Sequence, residues 1–202
     1  IVNNVATNTS TTISSSDSNF GSSIASAKNI LAITSGTNVK VYTVTNGTAT
    51  SVQTIGNVGV SVTMSSDGHW LYIGNDIANK VYSYWTDSVS SPSYSYVGAI
   101  SQKASAVKTN SNGTKIFIAD PSATNVDANN GNVYVYTRTA NSFSLTQTLS
   151  SQHKNAGARF GTSIDIDGTA GNLFVGIPGS TASGEPNGIV ERYTLSSGTY
   201  TF

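Results

Sequence analysis

The chain has 202 residues, enough to bury a hydrophobic core, and its 10 Lys and Arg balance its 10 Asp and Glu. A net charge of zero without a basic block excludes the electrostatic footprint of a nucleic-acid or anionic-membrane binder. The absence of cysteine excludes disulfides and thiolate metal sites. No apolar run approaches the roughly 20 residues of a membrane-spanning helix, so we expect no membrane insertion.

Hydroxyl and amide side chains replace charged ones on this chain. Ser, Thr and Asn number 32, 26 and 20, whereas Asp, Glu, Lys and Arg make up 10% of the residues, against about 25% in a typical domain. A neutral surface of this kind suits an extracellular protein. We therefore expect an extracellular location, on a virion surface or a cell surface.

Short β-branched runs follow one another along the chain, and no stretch sustains the apolar spacing of a helix. The runs predict an all-β protein with essentially no helix. Four units repeat the same order of four strands. The predicted strands are 21–24, 31–33, 41–44 and 51–55; 59–62, 71–73, 81–84 and 94–100; 104–107, 116–118, 133–136 and 142–149; and 161–164, 173–175, 190–193 and 199–202.

Each strand type has a distinct composition. The first strand consists of small residues, as expected where backbones crowd together, and the second is apolar on both faces, as expected of a strand buried between layers. The third alternates Val with Tyr or Thr. This order predicts four-stranded blades of a β-propeller. The predicted blades span 16–56, 57–101, 102–150 and 151–202.

The ends of the chain continue the repeat. Residues 11–15, which precede Phe20-Gly21, match residues 147–151, which precede Phe160-Gly161. Residues 1–15 are therefore predicted to be the outer strands of a preceding blade. Four blades and a half do not obviously close a ring, so we expect either that the chain is part of a longer repeat protein or that other chains complete the ring.

Several motifs resemble a known family. Phe20-Gly21-Ser22-Ser23 and Phe160-Gly161-Thr162-Ser163, with 175–178 and 131–136, resemble the FG-GAP repeat of integrin-α-type propellers. That repeat also occurs in surface proteins of bacteria and large viruses. In the second unit Val58-Gly59 replaces Phe-Gly. The resemblance implies a propeller fold and a structural or adhesive role.

The resemblance also implies a possible calcium loop of the form D-x-D-x-D-G-x-x-D. Asp165 and Asp167-Gly168 match its middle, but Ser163 and Gly171 stand at the flanking ligand positions. Calcium prefers six to eight oxygen ligands, several of them from carboxylates. An ordinary Asp-Gly turn explains the same residues. Ca²⁺ is the only cofactor that the sequence suggests, and we otherwise expect none.

Loop lengths differ between the two halves of the chain. The second-strand residue and the third-strand valine lie eight positions apart in the first two units and fifteen apart in the last two. Insertions on one face of a propeller often mark a binding face, although they are also tolerated without a function. The candidate ligand-binding residues are Asp120, Asn125, Asp127, Asn129, Asn130, His153, Lys154, Arg159, Glu185 and Asn187.

Catalytic and modification signals are few. No nucleophile, zinc or phosphate-loop motif is present, and His69 beside Trp70 is better explained by a turn or by packing than by a catalytic base. Asp165 and Asp167 as an acid–base pair are equally explained by the turn. Asn8, Asn46 and Asn112 begin glycosylation sequons. The chance frequency of such triplets is high in so Asn- and Thr-rich a chain.

The sequence therefore favours a non-catalytic structural or adhesive module that contacts other protein chains of a surface assembly or a host receptor. The alternative is a carbohydrate-binding propeller, in which tyrosines and Trp85 of the outer strands stack on sugars. The competing interpretation of these aromatic residues is packing between blades. A glycoside-hydrolase type of enzyme is the third hypothesis, because propellers host such activities.

Overall fold

A computed structural model describes residues 2–4, 9–56, 59–124, 128–153, 155–181 and 188–202. These residues form strands and turns without any helix, so no described helix could span a membrane. The strands are β1 (Val2–Asn4), β2 (Thr9–Thr11), β3 (Ile24–Ala27), β4 (Ile30–Ser35), β5 (Asn38–Thr45), β6 (Thr48–Ile55), β7 (Ser61–Met64), β8 (Trp70–Asn75), β9 (Lys80–Trp85), β10 (Ser95–Ile100), β11 (Ala106–Thr109), β12 (Lys115–Asp120), β13 (Asn132–Thr139), β14 (Ser142–Leu149), β15 (Ser163–Ile166), β16 (Asn172–Ile177), β17 (Ile189–Ser196) and β18 (Thr199–Thr201).

Sixteen of these strands form four antiparallel sheets of four strands, each in sequence order. We call them blade 1 (β3–β6), blade 2 (β7–β10), blade 3 (β11–β14) and blade 4 (β15–β18). The first strands β3, β7, β11 and β15 contact one another in that order, which places them on the inner side of the arc. β1 and β2 pair only with each other. The predicted all-β architecture of four-stranded blades without helix is confirmed.

Side chains that point alternately to the two faces of each second strand fill the space between the blades. In β8, Leu71 and Ile73 pack into the core between blades 1 and 2, whereas Tyr72 packs into the core between blades 2 and 3. Successive side chains of a strand point to opposite faces, so a strand that lies between two neighbours must be apolar at every position. A third core lies between blades 3 and 4 and includes Phe117 and Leu173.

Several strand boundaries differ from the prediction: each first strand begins two or three residues later than predicted, at Ile24, Ser61, Ala106 and Ser163. One further difference has a clear local reason. β6 begins at Thr48, three residues before the predicted start. Asn46 and Gly47 both have positive φ, at 52° and 80°, so they form a tight two-residue turn and the ladder continues directly to Thr45 and Thr48. Asn-Gly is a strong hairpin signal, and the strand prediction did not use it.

Candidate functional site

The long-loop face is the end of the arc where second strands lead into third strands and where each blade is linked to the next. The sequence predicts ten ligand-binding residues there. Asn125, Asp127, Lys154, Glu185 and Asn187 lie outside the described residues. The structure places the remaining five in three separate clusters. These five are Asp120, Asn129, Asn130, His153 and Arg159.

Backbone hydrogen bonds attach the long loop of blade 3 to the link that leads into blade 4. Arg159 N donates to Asn129 O at 3.1 Å, and Phe160 N donates to Asn130 O at 2.8 Å. Gly157 N donates to Ala128 O at 2.9 Å. The structure therefore brings Asn129, Asn130 and Arg159 together through their main chains. The described part of this loop is fixed against the scaffold, with Arg159 exposed beside it.

The start of the blade 4 loop contacts the same link. Gly179 N donates to Ala158 O at 3.0 Å, and Asn155 Nδ2 donates to Gly179 O at 3.0 Å. The link is thus held from both long loops. Loops held by a rigid scaffold are a common place for binding residues.

Asp120 belongs to a second cluster at the end of β12. Its Oδ1 accepts hydrogen bonds from Ser122 N at 3.0 Å and from Ser122 Oγ at 2.6 Å, and Lys103 Nζ lies 4.0 Å away. Asn132 pairs with Asp120 in the strand register. Asn132 Nδ2 donates to the Tyr134 hydroxyl, while its buried Oδ1 has no partner among the described residues. Asp120 therefore shapes its own loop.

His153 belongs to a third cluster, which surrounds the buried carboxylate of Glu191. Glu191 Oε1 accepts hydrogen bonds from Ser151 Oγ at 2.7 Å and Gln152 N at 3.0 Å, and His153 Nδ1 lies 3.1 Å from it. The Tyr193 hydroxyl donates to Glu191 Oε2 at 2.6 Å. Burial raises the pKa of Tyr193 far above its usual value, and the hydrogen bond to Glu191 is the second-largest cause.

This cluster holds the start of the link onto blade 4. A buried carboxylate is costly unless hydrogen bonds satisfy it, and Ser151 Oγ, Gln152 N and the Tyr193 hydroxyl all donate to this one. The sequence prediction included His153 but missed Glu191, Ser151 and Tyr193. One signal was available, because Glu191 is a charged residue at a third-strand position where blades 2 and 3 carry Tyr82 and Tyr134. Blade 1 also carries a charged residue there, Lys40, which pairs with Asp17.

The candidate calcium residues lie at the opposite end of blade 4 from the long loops. Asp167 Oδ1 accepts Gly171 N at 2.7 Å, and its Oδ2 accepts Asn172 N at 3.0 Å and Asn172 Nδ2 at 2.8 Å. These hydrogen bonds, chiefly that from the Asn172 side chain, lower the pKa of Asp167. Asp165 pairs with Lys108, Oδ1 to Nζ, at 3.1 Å.

The donors around Asp167 fit a capped turn better than a cation. Both of its oxygens already receive N–H groups, and a calcium ion would need further oxygens in their place. No group of three His, Cys, Asp or Glu side chains in the described ranges could hold a metal ion.

Sequon residues occupy two described turns. Asn46 is exposed at the tip of the β5–β6 hairpin. Asn112 is also exposed, and its Oδ1 accepts Thr114 N at 3.1 Å and Thr114 Oγ1 at 2.5 Å. Asn8 lies outside the described residues. Both described asparagines are therefore accessible, and Asn112 also serves its own turn.

Two groups of exposed aromatic side chains lie on blade 2. The rings of Trp85 and His69 stack with centroids 6.1 Å apart at an interplanar angle of 20°. Trp85 is 39% exposed, and His69 Nδ1 lies 2.6 Å from Thr86 O, which fixes the imidazole in place. Tyr96 is 60% exposed and contacts Tyr84 edge-on at 5.7 Å. The Trp85 ring thus combines packing with an accessible face.

Comparisons with known proteins identify the fold. No family model and no curated protein matches the chain. Similar solved structures include a putative 6-phosphogluconolactonase from Bacteroides uniformis (12% identity, TM-score 0.65, 88% of this chain and 54% of that chain). They also include hydrazine synthase from Kuenenia stuttgartiensis (14%, 0.63, 95% and 50%) and the WD40 domain of Toxoplasma gondii coronin (12%, 0.58, 88% and 42%).

The chain spans about half the length of these structures. At such low identity the likeness extends to the fold and not to the activity of any neighbour. The four blades of this chain have the β-propeller fold.

Proposed function

We propose that the chain is a non-catalytic structural and adhesive module that contacts proteins through its long-loop face. The observation that carries this proposal is the attachment of the long loop of blade 3 to the 155–160 link. Three backbone hydrogen bonds hold the described end of that loop in one conformation. A preorganised loop loses little conformational freedom when it binds a partner, so it suits recognition.

The roles of three described carboxylates support a non-catalytic assignment. Asp120 and Asp167 cap turns, and Glu191 holds the link into blade 4. A general acid or base has to reach a substrate, whereas these three groups already accept hydrogen bonds. Asp120 and Asp167 accept them within their own turns, and Glu191 accepts them from the 151–153 link and from Tyr193. Two structural neighbours are named putative 6-phosphogluconolactonases, at 12% identity. We expect the chain to hydrolyse 6-phosphogluconolactone no faster than buffer does.

The neutral, hydroxyl-rich composition and the FG-GAP-like motifs support an extracellular, virion or cell surface as the place of action. Other chains of a surface assembly, or a host receptor, are the proposed partners. Recognition through such a face depends on polar contacts and shape, because the chain has no net charge to attract a partner over a distance.

A charge reversal on the long-loop face tests the proposal. Arg159 is exposed and has a φ of 59°, and Lys28 offers a matched control, because it is also exposed, has a φ of 55° and lies at the opposite end of blade 1. Binding of the labelled chain to cells or particles of the source should saturate. It should weaken at least tenfold in Arg159→Glu and not in Lys28→Glu. Wild-type binding that never saturates, or equal losses in both variants, would refute the proposal.

Carbohydrate binding remains the second candidate, and the exposed Trp85 ring favours it. An aromatic face that is accessible and rigidly held is the usual platform for a sugar ring, and the stacked His69 holds this one. A glycan array should then show saturable binding that Trp85→Ala abolishes. Leu145→Ala, a change at an exposed apolar residue of blade 3, is the control.

A further inference from the structure

Two blade faces of the arc lack a neighbour. The leading face is the side of blade 1 that points away from blade 2, and the trailing face is the side of blade 4 that points away from blade 3. Every other blade face packs into one of the three cores. The repeat allows each position of these two faces to be compared with the same position inside the arc.

The trailing face carries apolar residues that the other blades bury. The strand register aligns Val190 of blade 4 with Val39, Val81 and Val133. Val39, Val81 and Val133 are 0% exposed, whereas Val190 is 69% exposed. Similarly, Phe174 is 43% exposed, although Tyr72 and Phe117 at its position in blades 2 and 3 are 0% exposed. The trailing face therefore has the side chains of a blade interface without the covering blade.

The leading face shows the same pattern. Ile24 of blade 1 is 64% exposed, whereas Val62, Val107 and Ile164 at its position are 5%, 2% and 6% exposed. Ile24 lines a groove of about 540 Å³, mostly apolar, together with Phe20, Leu31 and Val44. The described residues that line this groove begin at Ile13.

A hydrogen bond from a serine to the next blade occurs between blades 1 and 2 and between blades 2 and 3, but not between blades 3 and 4, where Ala106 stands in place of the serine. The Ser23 hydroxyl accepts Val62 N of the next blade at 3.0 Å, and the Ser61 hydroxyl accepts Val107 N of the next at 3.1 Å. Ser163 occupies the same position on blade 4, and its hydroxyl has no partner among the described residues. Ile24 is the residue of blade 1 whose N–H corresponds to those donors.

The chain thus presents both halves of one blade interface, each of them once. Joining the trailing face of one molecule to the leading face of another would bury Val190 and Phe174 against Ile24, and would give Ser163 its donor. A head-to-tail contact of this kind produces a closed ring when the rotation is right. This chain matches 54% and 50% of the length of two of the similar structures, so two copies together would span about one such structure. We propose that a second copy of the chain covers both open faces, so that two four-blade arcs close one ring.

Native mass spectrometry and light scattering of the 202-residue chain at micromolar concentration measure the stoichiometry. The proposal gives a species of twice the 20.9 kDa of one chain. A monomer at that concentration would overturn it. Open-ended oligomers that grow with concentration would also overturn it, because they would show that the contact does not close.

Two single variants separate the head-to-tail contact from other dimers. Val190→Asp disrupts only the trailing face, and Ile24→Asp disrupts only the leading face. Both residues are exposed in the single chain, so neither variant should unfold. Each variant alone should be monomeric. An equimolar mixture of the two variants should form a heterodimer. The leading face of Val190→Asp and the trailing face of Ile24→Asp are both intact, so these two faces can still pack together.

The control Leu145→Asp, on the outer strand of blade 3, should stay dimeric. The proposal would be overturned if either Val190→Asp or Ile24→Asp alone stayed dimeric. A mixture of the two variants that remains monomeric would also overturn it.

Discussion

At the scale of single residues, Gly131 determines how closely the long loop of blade 3 can approach the link into blade 4. Its φ is +83°, and a Cβ built on it would lie 2.2 Å from Phe160 O. The neighbouring pair, Asn130 O and Phe160 N, forms one of the hydrogen bonds that fix the loop. Only glycine allows both the left-handed backbone and this approach.

Alanine substitutions at two glycines separate these effects. Gly157 has a φ of +77°, but a Cβ there would meet no atom within 4 Å. Gly157→Ala should therefore lose only the left-handed cost of about 1–2 kcal/mol of unfolding free energy. Gly131→Ala should lose about 2–5 kcal/mol, because the methyl group also displaces the link. Urea unfolding of both variants gives the comparison, and equal losses would contradict this account of the loop.

At the scale of elements, a glutamine of one outer strand holds the next blade. Gln53 Oε1 accepts Tyr94 N at 2.8 Å, and Gln53 Nε2 donates to Tyr94 O at 2.9 Å. Gln147 forms the same pair of bonds with Tyr200, at 2.9 and 2.8 Å. The amide of glutamine matches a backbone peptide unit, with one donor and one acceptor side by side. The same pair of glutamine–backbone hydrogen bonds therefore joins blades 1 and 2 and joins blades 3 and 4.

Removing one of these glutamines should weaken blade 4 specifically. Gln147→Ala leaves the N–H and C=O of Tyr200 without partners, and we expect a loss of about 1–3 kcal/mol. Gln102→Ala is a suitable control, because no described hydrogen bond involves the Gln102 side chain. Hydrogen exchange should localise the loss to β17 and β18. Unchanged protection of these strands would show that the two bonds contribute nothing.

The sequence predicted the blades well because strand order, alternation and composition are local properties that repeat. The all-β fold and the buried second strands follow from that repetition. The clusters at the long-loop face did not follow, because partners such as Glu191 and Ser151 lie 40 positions apart and meet only when the link folds onto blade 4. The predicted topology placed three residues on one face: Asp120, His153 and Arg159. In the structure, a different set of hydrogen bonds holds each of them.

At the scale of the whole molecule, every interface between blades contains a buried tyrosine that donates to the next turn or to a neighbouring blade. The Tyr94 hydroxyl donates to Gly68 O between blades 1 and 2, and that of Tyr72 donates to Gly113 O at 2.6 Å between blades 2 and 3. The Tyr200 hydroxyl donates to Ala170 O between blades 3 and 4. Arg138 stacks on Trp70, 3.7 Å from the ring centroid, and its Nε donates to the Tyr72 hydroxyl at 3.1 Å.

These tyrosines should make the stability of the whole arc fall at alkaline pH. Burial raises the pKa of both Tyr72 and Tyr200 to about 12, and burial raises that of Tyr94 as well. An unfolded tyrosine ionises at about pH 10, so between pH 10 and 12 the folded chain binds more protons than the unfolded chain does. The stabilisation is therefore complete below pH 10 and is lost as the pH rises towards 12.

Urea unfolding at several pH values measures this effect, and tyrosinate absorbance follows the ionisation itself. Tyr72→Phe and Tyr200→Phe should each reduce the slope of the unfolding free energy between pH 10 and 12, because each removes one of the linked protons. Tyr96→Phe is the matched control, since Tyr96 is largely exposed and its loss should leave the slope unchanged. An identical slope in all three variants would mean that the interfaces open before their tyrosines ionise. In that case, opening of the interfaces between blades would cost less free energy than unfolding of the whole chain.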